Sequence, residues 1–245
     1  MLKNTLYVER LKLKRSKLWL LYIIGPLLGV LLAYINFLKN YDLFMQPGDN
    51  EWIEAWTQAA LFMGPFILPI LVGIYAAFIC REEHVGGGWK QLFTLPIKHS
   101  AVFLGKFLIV IGMVTVTMLL LFIFFVVIGY VKGIEGSFPI FMLLGFVVKG
   151  ILACLPLIVL QLIISIRAKT FGVPLAVSIV FTLPAIIVAS TPLGQIYPWT
   201  QPMLAMSPED ESPIQSYGLF YTLLIGSFTV LMWYGLRSLS KWDIS

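Results

Sequence analysis

Long apolar runs alternate with short polar stretches along most of this chain. Runs at about 18–38, 59–79, 103–130, 138–166, 172–190 and 217–237 each reach, or nearly reach, the ~20 residues a helix needs to cross a hydrocarbon core. They predict an all-α membrane protein of six transmembrane helices, forming one domain over residues 1–245. Met63-Gly64-Pro65 and Ile67-Leu68-Pro69 predict a distortion in the second span, and Pro156, Pro174 and Pro184 predict local breaks in the fourth and fifth. The polar stretches are uneven. Residues 39–58 hold a turn, Pro47-Gly48-Asp49-Asn50, and then Glu51 to Trp56, read as a short helix with its tryptophans at the membrane interface. Residues 131–137 make a tight loop. Residues 191–216 carry five prolines between apolar patches, which predicts a re-entrant or interfacial element packed on protein before the sixth span.

Charge orients these elements. Fourteen lysines and arginines fall on the side of the amino terminus, against Lys39 and Lys132 on the other, so both termini are placed in the cytoplasm. Six of the fourteen are in residues 1–17. There Leu2, Leu6 and Leu13 form an apolar stripe beside a basic one of Lys3, Arg10, Lys14 and Lys17. That pattern predicts an amphipathic helix lying on the inner leaflet, in contact with membrane lipids. The first span does not end in a small-residue cleavage site and is read as retained. Composition agrees with the pattern: 59% of residues are hydrophobic and 12% charged, about half the charge of an ordinary soluble domain. The net charge of +5 is spread along membrane boundaries, which argues against nucleic-acid binding. Cys80 and Cys154 suggest no disulfide, and with two histidines they make no metal site.

Chemistry concentrates in the charged stretch between the second and third spans, Arg81 to Ser100. Three glycines, Gly86 to Gly88, end the helix running out of the second span. Trp89 to Leu92 are predicted to form a short helix, Pro96 closes it, and Ser100 is placed to cap the next helix. Trp89, Leu92, Phe93 and Leu95 are apolar residues on the water side and imply a partner surface. Glu82-Glu83 invites comparison with membrane proteases that use Glu-Glu-x-x-x-Arg, but Gly87 stands where the arginine belongs and no histidine lies in a span. Gly86-Gly87-Gly88-Trp89-Lys90 lacks the spacing of a phosphate-binding loop, so an ATPase driving transport has to be another chain, and no catalytic residue is assigned here. Lys149 falls deep in the fourth span with no acid in any span to pair with. It lines a polar path or subunit interface, snorkels outward from a span that begins later, or joins an internal structural ion pair. Gln161, Ser165, Thr115 and Thr117 are expected to hydrogen-bond across helices, and Gln161 joins Lys149 as a candidate for the path or interface.

With these pieces in order, the chain resembles the ABC type 2 permease family, and more narrowly the small permeases of lantibiotic (bacteriocin) immunity exporters. The resemblance is carried by Glu9-Arg10-Leu11-Lys12-Leu13-Lys14-Arg15-Ser16, by Glu82-Glu83 with Gly87-Gly88-Trp89-Lys90-Gln91-Leu92, and by Leu95-Pro96-Ile97 with Lys106. Gly88 is a departure, since a small hydroxyl residue is common there. The resemblance implies that the leader is a connecting helix and that the central stretch is a coupling helix seated in a groove of an ATP-binding subunit. Glu82, Glu83, Gly87, Trp89, Lys90, Leu92, Leu95 and Pro96 are the docking candidates. It further implies two ATP-binding subunits holding ATP and magnesium, with no cofactor in this chain. A second permease, identical or related, completes the complex in a bacterial plasma membrane, and an antimicrobial peptide is the substrate. Export of a bacitracin-like drug, a lipid or an ion is the alternative, and a membrane enzyme or scaffold stands behind both.

Overall fold

The computed structural model describes residues 2–14, 16–85, 88–89, 98–210, 212–214 and 216–240. Among them every regular element is helical, and the α-helices of five residues or more are α1 (Leu2–Lys14), α2 (Trp19–Lys39), α3 (Glu51–Phe62), α4 (Leu68–His84), α5 (His99–Lys132), α6 (Ile140–Ala153), α7 (Leu155–Arg167), α8 (Gly172–Thr182), α9 (Ala185–Ala189), α10 (Gln201–Met206) and α11 (Tyr217–Ser240). Five continuous helical stretches are long and apolar enough to cross a membrane: α2, α3 with α4, α5, α6 with α7, and α11.

The second of these corrects the expected boundaries. Glu51 to His84 is one helical rod of 34 residues, not an interfacial helix followed by a span at 59–79. At ~1.5 Å per residue it runs about 50 Å, well beyond the ~30 Å hydrocarbon core. Trp52 and Trp56 therefore point into the bundle and are buried instead of sitting at an interface. Trp52 packs edge-on to Phe125 and Phe138, and the Trp56 indole donates to the Met206 carbonyl at 3.0 Å. The expected distortion is a single π turn at Met63–Ile67. A proline at 65 has no amide hydrogen to give, and the widened turn accommodates the gap.

The expected span at 172–190 is not one continuous helix. It is broken at Leu183-Pro184 into α8, of 11 residues, and α9, of 5. Neither is long enough to cross alone. Hydrogen bonds nevertheless fix where the segment begins and ends. Arg167, at the end of α7, donates to Tyr234 and Ser238 near the end of α11, while Met206 lies against Trp56 near the start of α3. The chain between Arg167 and Tyr217 thus returns from one end of the bundle to the other in pieces. Ser178 ties α8 to α4 by donating to the Pro69 carbonyl at 2.7 Å, and Gly73 lets the two backbones approach there.

At the end away from the leader, Asn50 caps α3 by accepting from the Trp52 amide and reaches across to donate to the Ser137 carbonyl. Glu51 accepts from the Glu135 amide and from the Tyr41 hydroxyl, and that second bond, with nearby carboxylates, pushes the Tyr41 phenol above its usual range. Asn50→Ala removes the cap and the strap together. A loss of about 1–2 kcal/mol is expected, read as a lower melting temperature of the detergent-solubilised chain.

Candidate coupling site

The long rod delivers the end of α4 to the leader, and α5 starts beside both. One face of α1 carries Thr5, Glu9 and Lys12, the i, i+4, i+7 spacing of a helical face. Thr5 sits against Gly105 of α5, where a Cβ would come within 2.7 Å of its methyl, so the glycine sets how closely the two helices lie. That approach seats Lys106, the next residue, directly under Glu9.

Lys106 is fully buried. Its ammonium donates to Glu9 Oε1 at 2.8 Å, to Glu83 Oε1 at 2.6 Å and to the Ile79 carbonyl at 2.7 Å. Three donors meet three acceptors, so the cation is satisfied. The carbonyl belongs to the last turns of α4, where a cation also complements the helix dipole. Lys12 closes the group, 2.6 Å from Glu83 and 3.5 Å from Glu9. Two carboxylates and two ammoniums balance in charge. Only Lys12 keeps partial contact with solvent, and the second oxygens of Glu9 and Glu83 have no hydrogen-bond partner among the described residues. The cluster ties three elements together: the leader, the end of α4 and the start of α5. Those last two flank the segment assigned to coupling.

The start of that segment folds back on the cluster. Gly88 lies so close to α4 that a Cβ would be 2.8 Å from the Glu83 Cα, which gives the third glycine a steric reason. Trp89 follows it inward. The reading of Trp89 as a water-facing anchor is corrected: it is buried, with Lys106 5.8 Å from its ring centre and the His84 imidazole edge-on at 5.7 Å. His84 Nε2 lies 2.9 Å from the Ser165 carbonyl and 3.4 Å from the indole Nε1. One nitrogen cannot donate to the first while accepting from the second. The shorter contact decides, so Nε2 carries hydrogen toward Ser165 and the tryptophan packs against the imidazole.

The other docking candidates divide. Glu83 is buried in the ion cluster, not presented to a partner, whereas Glu82 is exposed beside it. Gly87, Lys90, Leu92, Leu95 and Pro96 lie outside the described residues. Ser100 is not a cap: α5 begins at His99, with Lys98 at the capping position. Far from this site, Lys149 is half-buried with its ammonium 5.6 Å from the Phe146 ring centre, and it makes no ion pair among the described residues. The side chains of Gln161 and Ser165 are buried without a hydrogen-bond partner among the described residues, while Thr117 makes a bond across helices to the Tyr75 hydroxyl. The structure does not bring Lys149 to the ion cluster.

Sequence reasoning missed Glu9, Lys12 and Lys106 as one site. Two features pointed there: Glu9 is the lone acid among the six cations of residues 1–17, and Lys106 lies within an otherwise apolar stretch of α5.

Residues 5–185 match the model of the ABC-2 family transporter proteins. The chain belongs to the ABC-2 transporter family. That match covers both sides of the ion cluster and the segment between. The permease is therefore the membrane component of an ABC exporter, a multi-pass protein that works with an ATP-binding subunit. No curated protein matches the chain.

Proposed function

We propose that this permease expels a lantibiotic or related antimicrobial peptide from the bacterial plasma membrane, giving the cell immunity, and that residues 82–98 take up the motion of the ATP-binding subunit. The observation that carries the coupling half is the buried cluster of Glu9, Lys12, Glu83 and Lys106. A segment clamped on both flanks by ion pairs moves its helices as rigid bodies when a partner pushes it. Glu82 and the stretch holding Gly87, Lys90, Leu92, Leu95 and Pro96 form the docking face. Glu83 and Trp89, both buried, anchor the near end of that segment. Two ATP-binding subunits would carry ATP and magnesium, and a second permease would pair with this one.

The substrate half rests on the motifs of the leader and central segment, and on the surfaces of α2, α8 and α11. Large apolar side chains are exposed along all three, including Ile24, Ile35, Val173, Val180, Ile225 and Trp233. An amphipathic peptide already in the bilayer would pass along such surfaces without meeting a polar barrier. The reading keeps six crossings with both termini in the cytoplasm, α8 and α9 together making the fifth. One observation favours another substrate: Lys149, a cation within α6 with no acidic partner among the described residues, suits an exported lipid or drug that carries an anionic group.

The test is co-expression with ABC ATP-binding subunits from the same cell, followed by purification and reconstitution. The wild-type pair is expected to co-purify and to hydrolyse ATP several-fold faster when a pore-forming lantibiotic is added. Glu82→Arg and Leu95→Asp should each abolish co-purification while leaving the permease folded. Co-purification without peptide stimulation, combined with stimulation by an anionic lipid that Lys149→Gln removes, would replace the peptide reading. Unchanged co-purification of both variants would refute the docking face.

A further inference from the structure

The inner face of α1 is committed to the ion cluster, and its outer face is not. The helix packs against α5, and the chain then turns through an elbow at Ser16 to Leu18 into α2. Ser16 steadies the elbow by donating to the Leu13 carbonyl. Between α1 and the first turn of α2 the elbow leaves a groove of about 760 Å3. Leu18 is buried at its base, while Tyr7, Leu11 and Trp19 along its walls are exposed by 66%, 47% and 56%.

Two cations stand along this groove. Arg10 and Lys14 are one helical turn apart on α1, the spacing that puts two side chains about 5–6 Å from each other. Both are exposed, and neither has an ion-pair partner among the described residues. Glu9, the one acid in residues 1–17, is taken up on the opposite face by Lys106 and Lys12. The groove therefore has a positive edge and an aromatic, apolar wall of Leu11, Trp19 and Tyr22. Its size is that of a small-molecule site. Its position, where a leader helix meets the first span, is the level at which tryptophan and tyrosine sit among lipid headgroups.

We propose that this groove holds one anionic phospholipid. Arg10 and Lys14 grip the phosphodiester, the arginine through paired N–H donors. The glycerol backbone and first acyl carbons lie against Leu11, Trp19 and Tyr22. The bound lipid fastens the outer side of the helix whose inner side carries Glu9 to Lys106. The site is independent of what the permease exports.

The full-length permease, purified in a mild neutral detergent, is titrated with phosphatidylglycerol or phosphatidylcholine and examined by native mass spectrometry. One phosphatidylglycerol should be retained per chain, and phosphatidylcholine should not. Arg10→Gln with Lys14→Gln should weaken retention by about tenfold or more, the scale of losing charge-assisted hydrogen bonds. Lys3→Gln with Lys17→Gln removes the same charge outside the groove and should leave retention within about twofold. Leu11→Glu keeps both cations but sets a carboxylate in the groove, and should lose the lipid as well. Glycerol 3-phosphate, a headgroup without chains, should not compete. Equal losses in the two lysine-bearing pairs would mean a diffuse surface field and overturn the proposal. Retention by Leu11→Glu, or displacement by glycerol 3-phosphate, would overturn it too.

Discussion

Lys106→Met is expected to be the most damaging single change in this permease outside a proline substitution. The side chain is of similar length, so the packing loss is small, but two buried carboxylates lose the ammonium between them. Glu83 still reaches Lys12 at 2.6 Å, whereas Glu9 is left with the same lysine at 3.5 Å. Removing one partner from a buried ionic group costs about 3–5 kcal/mol, because the remaining charge stays out of water without compensation. For a chain of this size that is a fall of roughly 10 °C in melting temperature, measured on the detergent-solubilised protein. The effect should not be additive. Lys106→Met combined with Glu9→Gln and Glu83→Gln removes the stranded charges, and most of the stability should return. What should not return is communication across the segment: the triple variant is expected to bind its ATP-binding subunit and yet fail to couple hydrolysis to export. A single Lys106→Met variant melting within a degree or two of wild type would show that the cluster does not hold these helices.

The second large effect is expected at Gly64, inside the π turn. A Cβ there would lie 2.5 Å from the Cα and 2.8 Å from the amide nitrogen of Met203, so the obstruction is backbone and has no rotamer to escape into. α10 is seated on the π turn and on α6 through this approach, with Leu204, Ala205 and Met206 buried. Gly64→Ala must push α10 away or bend the rod, at a cost of about 1–3 kcal/mol. The Trp56 hydrogen bond to the Met206 carbonyl should break with it. Hydrogen exchange would read this as faster exchange over residues 199–206, together with a lower melting temperature. Gly145→Ala is the control, since a Cβ there meets nothing within 4 Å. It should leave both measurements unchanged or raise stability slightly. Equal exchange in the two variants would mean that the π turn does not seat α10.

The hydrophobic pattern carried five of the six expected long apolar stretches, the break in the second span and the place of the charged segment between two of them. Those properties are local. A run of about twenty apolar residues, three glycines or a proline without an amide hydrogen acts on its own stretch of chain, whatever lies elsewhere. The leader and central-segment motifs likewise pointed to the family that the match over residues 5–185 establishes. The tertiary structure decided the rest. Glu51 to Trp56 read as interfacial because two tryptophans near charges suit an interface. They became part of a continuous rod once Tyr34, Phe125 and Phe138 offered a core at that height. Trp89 read as a docking anchor because it is a large apolar residue in a stretch placed on the water side, and it turned inward to cover Lys106. Glu9, Glu83 and Lys106 are charges that hydropathy assigns to water. Glu9 and Lys106 are 97 residues apart and Glu83 and Lys106 are 23 apart, and no periodicity within one helix can join them. Only the packing of α1, α4 and α5 makes burial of each charge affordable, because it supplies the opposite charge at hydrogen-bonding distance.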